Sequence, residues 1–218
     1  MCKKILILLT LMMSVFAFSA CSAGGLLGDS DMDIYEKIHK YYLDMEGYSA
    51  KLSFTCYSNK TQNSYFAEQL AKAGGSFYTN VTPGDKSFSV TTVCDGKKIK
   101  TVFDGSDYAL LVPNDTTLGL LFVDSFFKTY YASEDTVLSV NKDSGESRQT
   151  VLEVTLPEDQ GAGSVSLTID NKTLAPVSLV IKDFGGKTKV YAEFSEFKYN
   201  DKKALSFDYS QGLERNDA

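Results

Sequence analysis

Four cysteines, one histidine and 28 acidic side chains are the groups in this 218-residue chain suited to covalent, metal or proton chemistry. Cys21 is the most distinctive of them. It directly follows Ser19 and Ala20, behind an apolar run from Ile5 to Phe18 and the basic pair Lys3 and Lys4, with no acid among the first 20 residues. A basic start, an apolar run shorter than the ~20 residues needed to span a bilayer and a small-residue site read as a secretory signal. A cysteine placed immediately after such a site is an acceptor for lipid, and Phe18-Ser19-Ala20-Cys21 resembles a lipobox with Phe18 where leucine is usual. The sequence thus predicts a signal peptide over 1–20, acyl chains such as palmitate on Cys21, and a flexible tether over 21–31 rich in Gly, Ser and Ala. Two acyl chains, at ~0.8 kcal/mol per buried methylene, give stable anchoring, so attachment to the outer face of a membrane through Cys21 is expected.

The remaining reactive groups are sparse. Cys2 leaves with the signal, so Cys56 and Cys94 remain. In an oxidising compartment they are candidates for a disulfide; lying in strand-like runs, they would serve equally as small apolar core residues. His39, the lone imidazole, sits on a helical stretch without a placed nucleophile, which points to no acid–base machinery. Acids occur singly or in turns, as at Asp104, Asp107, Glu158 and Asp159, without HExxH, phosphate-loop or EF-hand spacing. The acids of 31–36 suit the positive end of a helix, and the Asn-x-Thr matches at Asn59, Asn80, Asn114 and Asn171 read as turn chemistry. No catalytic residue, cofactor or metal site is expected, so the chain reads as a non-enzyme. Removing Lys3 and Lys4 leaves 20 basic against 28 acidic residues, a net of 20 − 28 = −8. A surface so charged repels nucleic acid, and the only arginines are Arg148 and Arg215.

The elements that would position these groups follow from periodicity. Ile34, Ile38, Tyr41, Tyr42 and Met45 share one helical face over 31–45, with Asp31 or Asp33 as cap and Gly47 as terminator. From Ala50 to Tyr57 the period becomes two, as in a half-buried antiparallel strand. Further strands are expected at 64–70, 76–81, 87–94, 98–104, 107–112, 137–141, 149–156, 164–170, 176–183, 188–198 and 204–209. The stretch 67–75 reads equally as a helical turn closed by glycines. Turns are signalled by Pro83-Gly84-Asp85, Asp95-Gly96, Asp104-Gly105, Asp170-Asn171-Lys172 and Gly185-Gly186. A second helix over 116–132, greasy on several sides, should be largely enclosed. The sum is an α+β fold: one domain over 32–210, built as an unclosed, curved antiparallel barrel wrapped around two or so helices, followed by a tail over 211–218. Its 14 Phe and 13 Tyr, dense at Phe126, Phe127, Tyr130 and Tyr131, either fill the interior or line a cavity for an acyl chain. Tyr57, Tyr65, Tyr191 and Tyr199 are candidate surface tyrosines on strands.

Three segments carry a resemblance: Lys51–Tyr65 with its Tyr-Ser-Asn-Lys-Thr element, the aromatic stretch Phe122–Asp135, and above all Leu167–Asn200. Together, across Ile34 to Asn200, they resemble the clostridial germination lipoproteins of the GerS type. Asp170–Pro176 is also similar to a hairpin of the wider LolA and LppX superfamily. The resemblance implies a LolA-like fold, a place on the cell or forespore membrane, and a non-enzymatic role in spore germination and cortex peptidoglycan modification. The partner it implies is an N-acetylmuramoyl-L-alanine amidase that the lipoprotein binds and activates. The superfamily implies an alternative, a carrier of lipid or lipoprotein. The open edges of an unclosed barrel would also allow a homodimer.

Overall fold

The computed structural model describes residues 29–104, 109–110, 119–141 and 148–210. The predicted signal, Cys21, most of the tether, the 211–218 tail and most of the expected strand at 107–112 lie outside them. The chain divides into two compact units, Met1–Lys37 and Ile38–Ala218. Helix α1 (Asp29–Leu43) begins in the first and ends in the second, which holds the sheet and the other helices.

From Gly47 to Leu110 the chain makes a meander: β1 (Gly47–Tyr57), β2 (Gln62–Lys72), β3 (Ser76–Pro83), β4 (Val90–Asp95), β5 (Ile99–Phe103) and the short β6 (Ala109–Leu110). Helix α2 (Val123–Ala132) comes next. A second meander then runs β7 (Thr136–Asn141), β8 (Gln149–Thr155), β9 (Ser164–Asp170), β10 (Pro176–Lys182) and β11 (Thr188–Tyr199), before a short helix α3 (Lys202–Ser206). All pairings are antiparallel, and the 11 strands form one sheet in the order β6-β5-β4-β3-β2-β1-β11-β10-β9-β8-β7. The first and last long strands are therefore central neighbours, each meander grows outward from them, and β6 and β7 are the edges. The sheet is curved and unclosed, as the sequence predicts.

Alternation explains which face is buried. On β1 the even residues Tyr48, Ala50, Leu52 and Phe54 are buried while Lys51 is exposed. Strand register extends that face as a row, Tyr65–Phe54–Ala192–Leu179–Leu167–Leu152–Leu138, across seven strands. Leu152, Leu167 and Leu179 in this row have no solvent exposure, each contributing about 1.5–3 kcal/mol. Onto this face pack Ile38 and Tyr42 of α1 and Val123, Phe126, Phe127 and Tyr130 of α2, all buried. Tyr42 stacks on Phe127 at 4.1 Å between ring centroids and donates its hydroxyl to the Leu174 carbonyl at 2.7 Å. The helices are the filling of the half-barrel.

The turn signals act as read. Asp170 Oδ1 accepts from the Lys172 and Thr173 amides at 3.1 and 2.8 Å, and Pro176, which has no amide to donate, opens β10. Asp95 Oδ1 accepts from the Lys97 and Lys98 amides at 2.8 and 2.7 Å beside Gly96, whose φ is +91°. The ambiguous stretch at 67–75 is strand as far as Lys72.

Three expectations are corrected. The run 204–209 begins as helix α3 and packs Ala204 and Tyr209 against Leu70. The second helix, expected over 116–132, is interrupted: Gly119 is helical, 120–122 form turn and bend, and α2 runs from Val123 to Ala132, while the expected start at Thr116 lies outside the described residues. Cys56 and Cys94 are free thiols. Register gives the reason: Cys94 lies opposite Phe77, Phe77 opposite Ala71, and Ala71 opposite Tyr48. Cys56 is thus three strands across and eight residues along from Cys94, roughly 30 Å at ~3.3 Å per residue and ~4.8 Å per strand, and a disulfide needs Cα atoms within ~7 Å.

The α1–β1 corner is held by the end of β11. Asn200, at φ +47°, accepts from the Glu46 amide at 2.8 Å and the Gly47 amide at 3.3 Å through Oδ1, and donates its own amide to the Gly47 carbonyl at 2.8 Å. Asp201 caps α3 and accepts from the Ser49 hydroxyl. Gly47 itself is required by close approach, since a Cβ there would lie 2.6 Å from the Ala71 carbonyl oxygen. Asparagine is among the few residues that tolerate positive φ. Replacing Asn200 with Val should therefore cost about 1–3 kcal/mol from the unpaired amides and add backbone strain, read as a lower denaturant midpoint with unchanged slope.

Candidate functional site

One end of the half-barrel is open. There, a cleft of about 1450 Å³ lies between the α1–β1 corner, the β2–β3 and β4–β5 turns, the N-terminal approach to α2 and its outer face, and the chain after β8. That volume exceeds the ~300–1,000 Å³ of drug-sized sites. Aromatics fill the middle of the barrel, and others line the opening at its end.

Two polar side chains on the buried face hold the approach to α2, Tyr48 in the cleft lining and Gln69 outside it. Tyr48, without solvent exposure, accepts the Val123 amide at 3.0 Å and stacks on Phe197 at 5.2 Å. Gln69, also buried, donates Nε2 to the Leu121 carbonyl at 3.4 Å. Val123 is the first residue of α2, so Tyr48 satisfies one of the amide donors that a helix start leaves free. These two pins fix the point at which the chain enters α2.

Beside them lies Asp124, in the first turn of α2. The residue keeps some solvent contact, while its Oδ1 is buried with no hydrogen-bond partner among the described residues. Burial pushes the carboxyl above the usual carboxylate range, against the pull of the Asp124 and Ser125 amides, the Tyr48 hydroxyl and Lys128. Burial likewise raises the Tyr48 phenol well above its ordinary value, helped by the Asp124 charge. A buried acceptor without a donor is uncommon in native proteins.

The rim is basic. Lys72 at the end of β2, Lys97 and Lys98 in the β4–β5 turn, and Lys128 on α2 line the cleft and are exposed, against Asp124 and Asp135 among the acids. Apolar groups reach the same mouth, with Leu43 64% and Tyr131 38% exposed.

The residues singled out from sequence are scattered around this site. Cys94 lines the cleft, and desolvation raises its thiol above the ordinary value, which disfavours the nucleophilic thiolate. Cys56 is on β1, remote from the cleft by strand register, its thiol also raised by burial. His39 meets the Tyr131 ring edge-on at 4.8 Å. Of the candidate surface tyrosines, Tyr191 is exposed and bonds Glu193 at 2.8 Å, whereas Tyr65 stacks on Phe54 and Tyr199 on Tyr41. Among the described residues no group of three or more His, Cys, Asp or Glu is placed to hold a metal ion. No helix among them is long and apolar enough to cross a membrane. Tyr48, Gln69, Asp124 and the four lysines were not identified from sequence; Tyr48 extends the buried face of β1 two residues before the alternation read from Ala50, with no local sign of its partner.

An unclosed antiparallel barrel around helices, with a cleft at one open end, is the LolA-like class of fold. The model for the family described as sporulation protein YdcC-like matches residues 2–206, and the chain belongs to that family. Among solved structures it is similar to an uncharacterized conserved protein from Thermus thermophilus, with 17% identity and TM-score 0.51 over 81% of this chain and 92% of that one. It is also similar to a chain in the structure of the CwlD amidase from Clostridioides difficile in complex with the GerS lipoprotein, with 23% identity and TM-score 0.43 over 80% and 98%. A LolA superfamily protein, NE2245 from Nitrosomonas europaea, shares 10% identity at TM-score 0.40 over 78% and 93%. At such identities the likeness concerns fold. Among curated protein sequences, none matches.

Proposed function

We propose that this chain is an extracytoplasmic lipoprotein, anchored through Cys21 to the cell or forespore membrane, that binds and supports an N-acetylmuramoyl-L-alanine amidase acting on cortex peptidoglycan and catalyses nothing itself. The observation that carries this reading is family membership across residues 2–206, which supports a role in sporulation. The amidase as partner follows from the resemblance carried by Lys51–Tyr65 and Leu167–Asn200. The experiment is a binding measurement between the purified domain and the amidase of the same spores, paired with fractionation of a Cys21→Ala variant. Wild type should bind the amidase and sediment with membranes. Cys21→Ala should move from the membrane to the soluble fraction while keeping its circular dichroism spectrum, and cortex from that strain should carry less muramic-δ-lactam. Absence of amidase binding by the wild-type domain sinks the partner assignment; membrane retention of Cys21→Ala sinks the anchor.

A second reading, a lipid or lipoprotein carrier, is favoured by the size of the cleft. It predicts stoichiometric uptake of a fluorescent fatty acid. It also predicts that release from the membrane leaves function largely intact, because a shuttle tolerates release better than a tethered accessory protein does.

A further inference from the structure

The cleft at the open end is a basic opening in an acidic protein. Four lysines from three separate segments converge on it, Lys72 from β2, Lys97 and Lys98 from the β4–β5 turn, and Lys128 from α2, although the whole chain carries a formal net charge of −6. The ion pairs recorded on the sheet, Lys51–Glu196, Lys182–Glu153 and Lys189–Asp183, involve none of the four, and none of them has an ion pair elsewhere among the described residues. Lys128 acts on the Asp124 carboxyl and Lys98 on Asp95 at longer range, but none of the four is tied up in a direct ion pair, so the rim can attract an incoming anion in a molecule whose overall field opposes one.

The walls distinguish between two kinds of anionic occupant. An acyl chain prefers a lining that is apolar almost throughout. This one mixes aromatic groups with Ser125, Thr129, Ser133, Thr155 and Gln160. It also contains the Asp124 Oδ1, a buried acceptor without a donor among the described residues. A hydrocarbon chain has no N–H to offer it, whereas every residue of a polypeptide except proline has one. Mixed polar and apolar composition is also the texture of protein–protein interfaces, and exposed Leu43 and Tyr131 provide apolar contacts at the mouth.

We propose that this cleft is the docking surface for an acidic polypeptide segment of the protein partner. Apolar side chains of the segment enter between α2 and the β4–β5 turn, its acidic groups meet the four lysines, and a backbone N–H donates to Asp124. The assignment rests on the accessory-protein reading and supplies the surface that reading lacks.

The test compares affinities of the wild-type domain, the charge-reversed variant Lys72→Glu/Lys97→Glu/Lys98→Glu/Lys128→Glu and the variant Leu43→Ser. The probes are the spore amidase and a fluorescent peptide of about twelve residues alternating glutamate with leucine or phenylalanine. Charge reversal should weaken both probes roughly tenfold or more and abolish the salt sensitivity of binding, and Leu43→Ser should weaken them by removing an apolar contact at the mouth without changing the charge. The same reversal on the outer sheet face, Lys51→Glu/Lys198→Glu, should leave affinity within about twofold. Because all substituted positions are exposed, retained thermal midpoints are expected and would assign the losses to the surface. Amidase binding unchanged by both cleft variants overturns the docking assignment and leaves the accessory reading intact. Failure of the wild type to bind amidase sinks the accessory reading, and the cleft assignment is then decided by the acidic peptide alone. Stoichiometric uptake of a fluorescent fatty acid with no binding of the peptide overturns it in favour of a lipid site.

Discussion

Replacing Phe126 with Ala should lower the unfolding free energy by about 3–5 kcal/mol, the range for aromatic truncations in cores. Phe126 has no solvent exposure and sits at the middle of α2, meeting Phe127 edge-on at 5.4 Å and stacking on Tyr130 at 5.8 Å. The substitution removes a ring from the contact between the plug and the sheet. Helix α2 lies against β8, which is hydrogen-bonded to β7 and β9 and cannot move inward singly to close the gap. For a domain of this size the loss corresponds to a fall in midpoint of roughly 6–20 °C. Tyr131→Ala, on the same helix but 38% exposed, is the control and should cost much less. Equal losses at the two positions would mean that α2 is not the core of the barrel. The effect on partner binding should be indirect, through the fraction folded, and should disappear below the new midpoint.

The plug and the sheet were legible in the sequence for different reasons. Each long strand has one face buried, so side chains alternate strictly, and the Asx turns at Asp95 and Asp170 announce hairpins through bonds made within a few residues. Helix α2 was legible because its apolar stripe is wide. The mistaken strand at 204–209 has the opposite cause, because α3 is five residues long and too short to display a 3.6-residue period. Leu205, Phe207 and Tyr209 alternate with Ser206 and Asp208 and so resemble a strand, although it is Ala204 and Tyr209 that cover Leu70 on the outer face. The site was scarcely legible at all. Tyr48 and the Val123 amide are 75 residues apart, Gln69 and Leu121 are 52 apart, and the four rim lysines come from segments that only the sheet order brings together. An isolated Lys-Lys in a turn reads as solvated surface. It becomes a rim only when the β2 end and α2 are known to border the same opening.

Removing Tyr48 should have the second large effect, and two substitutions separate its parts. Tyr48→Ala deletes a fully buried ring that stacks on Phe197 and should cost about as much as Phe126→Ala, ~3–5 kcal/mol. Tyr48→Phe keeps the ring and deletes only the hydroxyl. It leaves the Val123 amide without its acceptor at the start of α2 and withdraws from the Asp124 carboxyl a group that stabilises its charge, for about 1–3 kcal/mol. The two losses should differ in their dependence on Asp124. Asp124 carries a raised pKa, so the folded state binds its proton more tightly than the unfolded one. Its contribution to stability is present below the unfolded carboxylate pKa and declines as pH rises through the folded value. In Tyr48→Phe the carboxyl loses a hydrogen-bond donor to its charged form, which raises its pKa further, so this decline should extend to higher pH than in wild type. Denaturation of Tyr48→Phe and wild type at several pH values from mildly acidic to neutral reads this directly. The gap between them should widen with pH and close in a background carrying Asp124→Asn, down to the part due to the Val123 amide. A gap independent of pH would mean that the hydroxyl acts only as an acceptor for the helix start and that Asp124 is held by its own backbone amides.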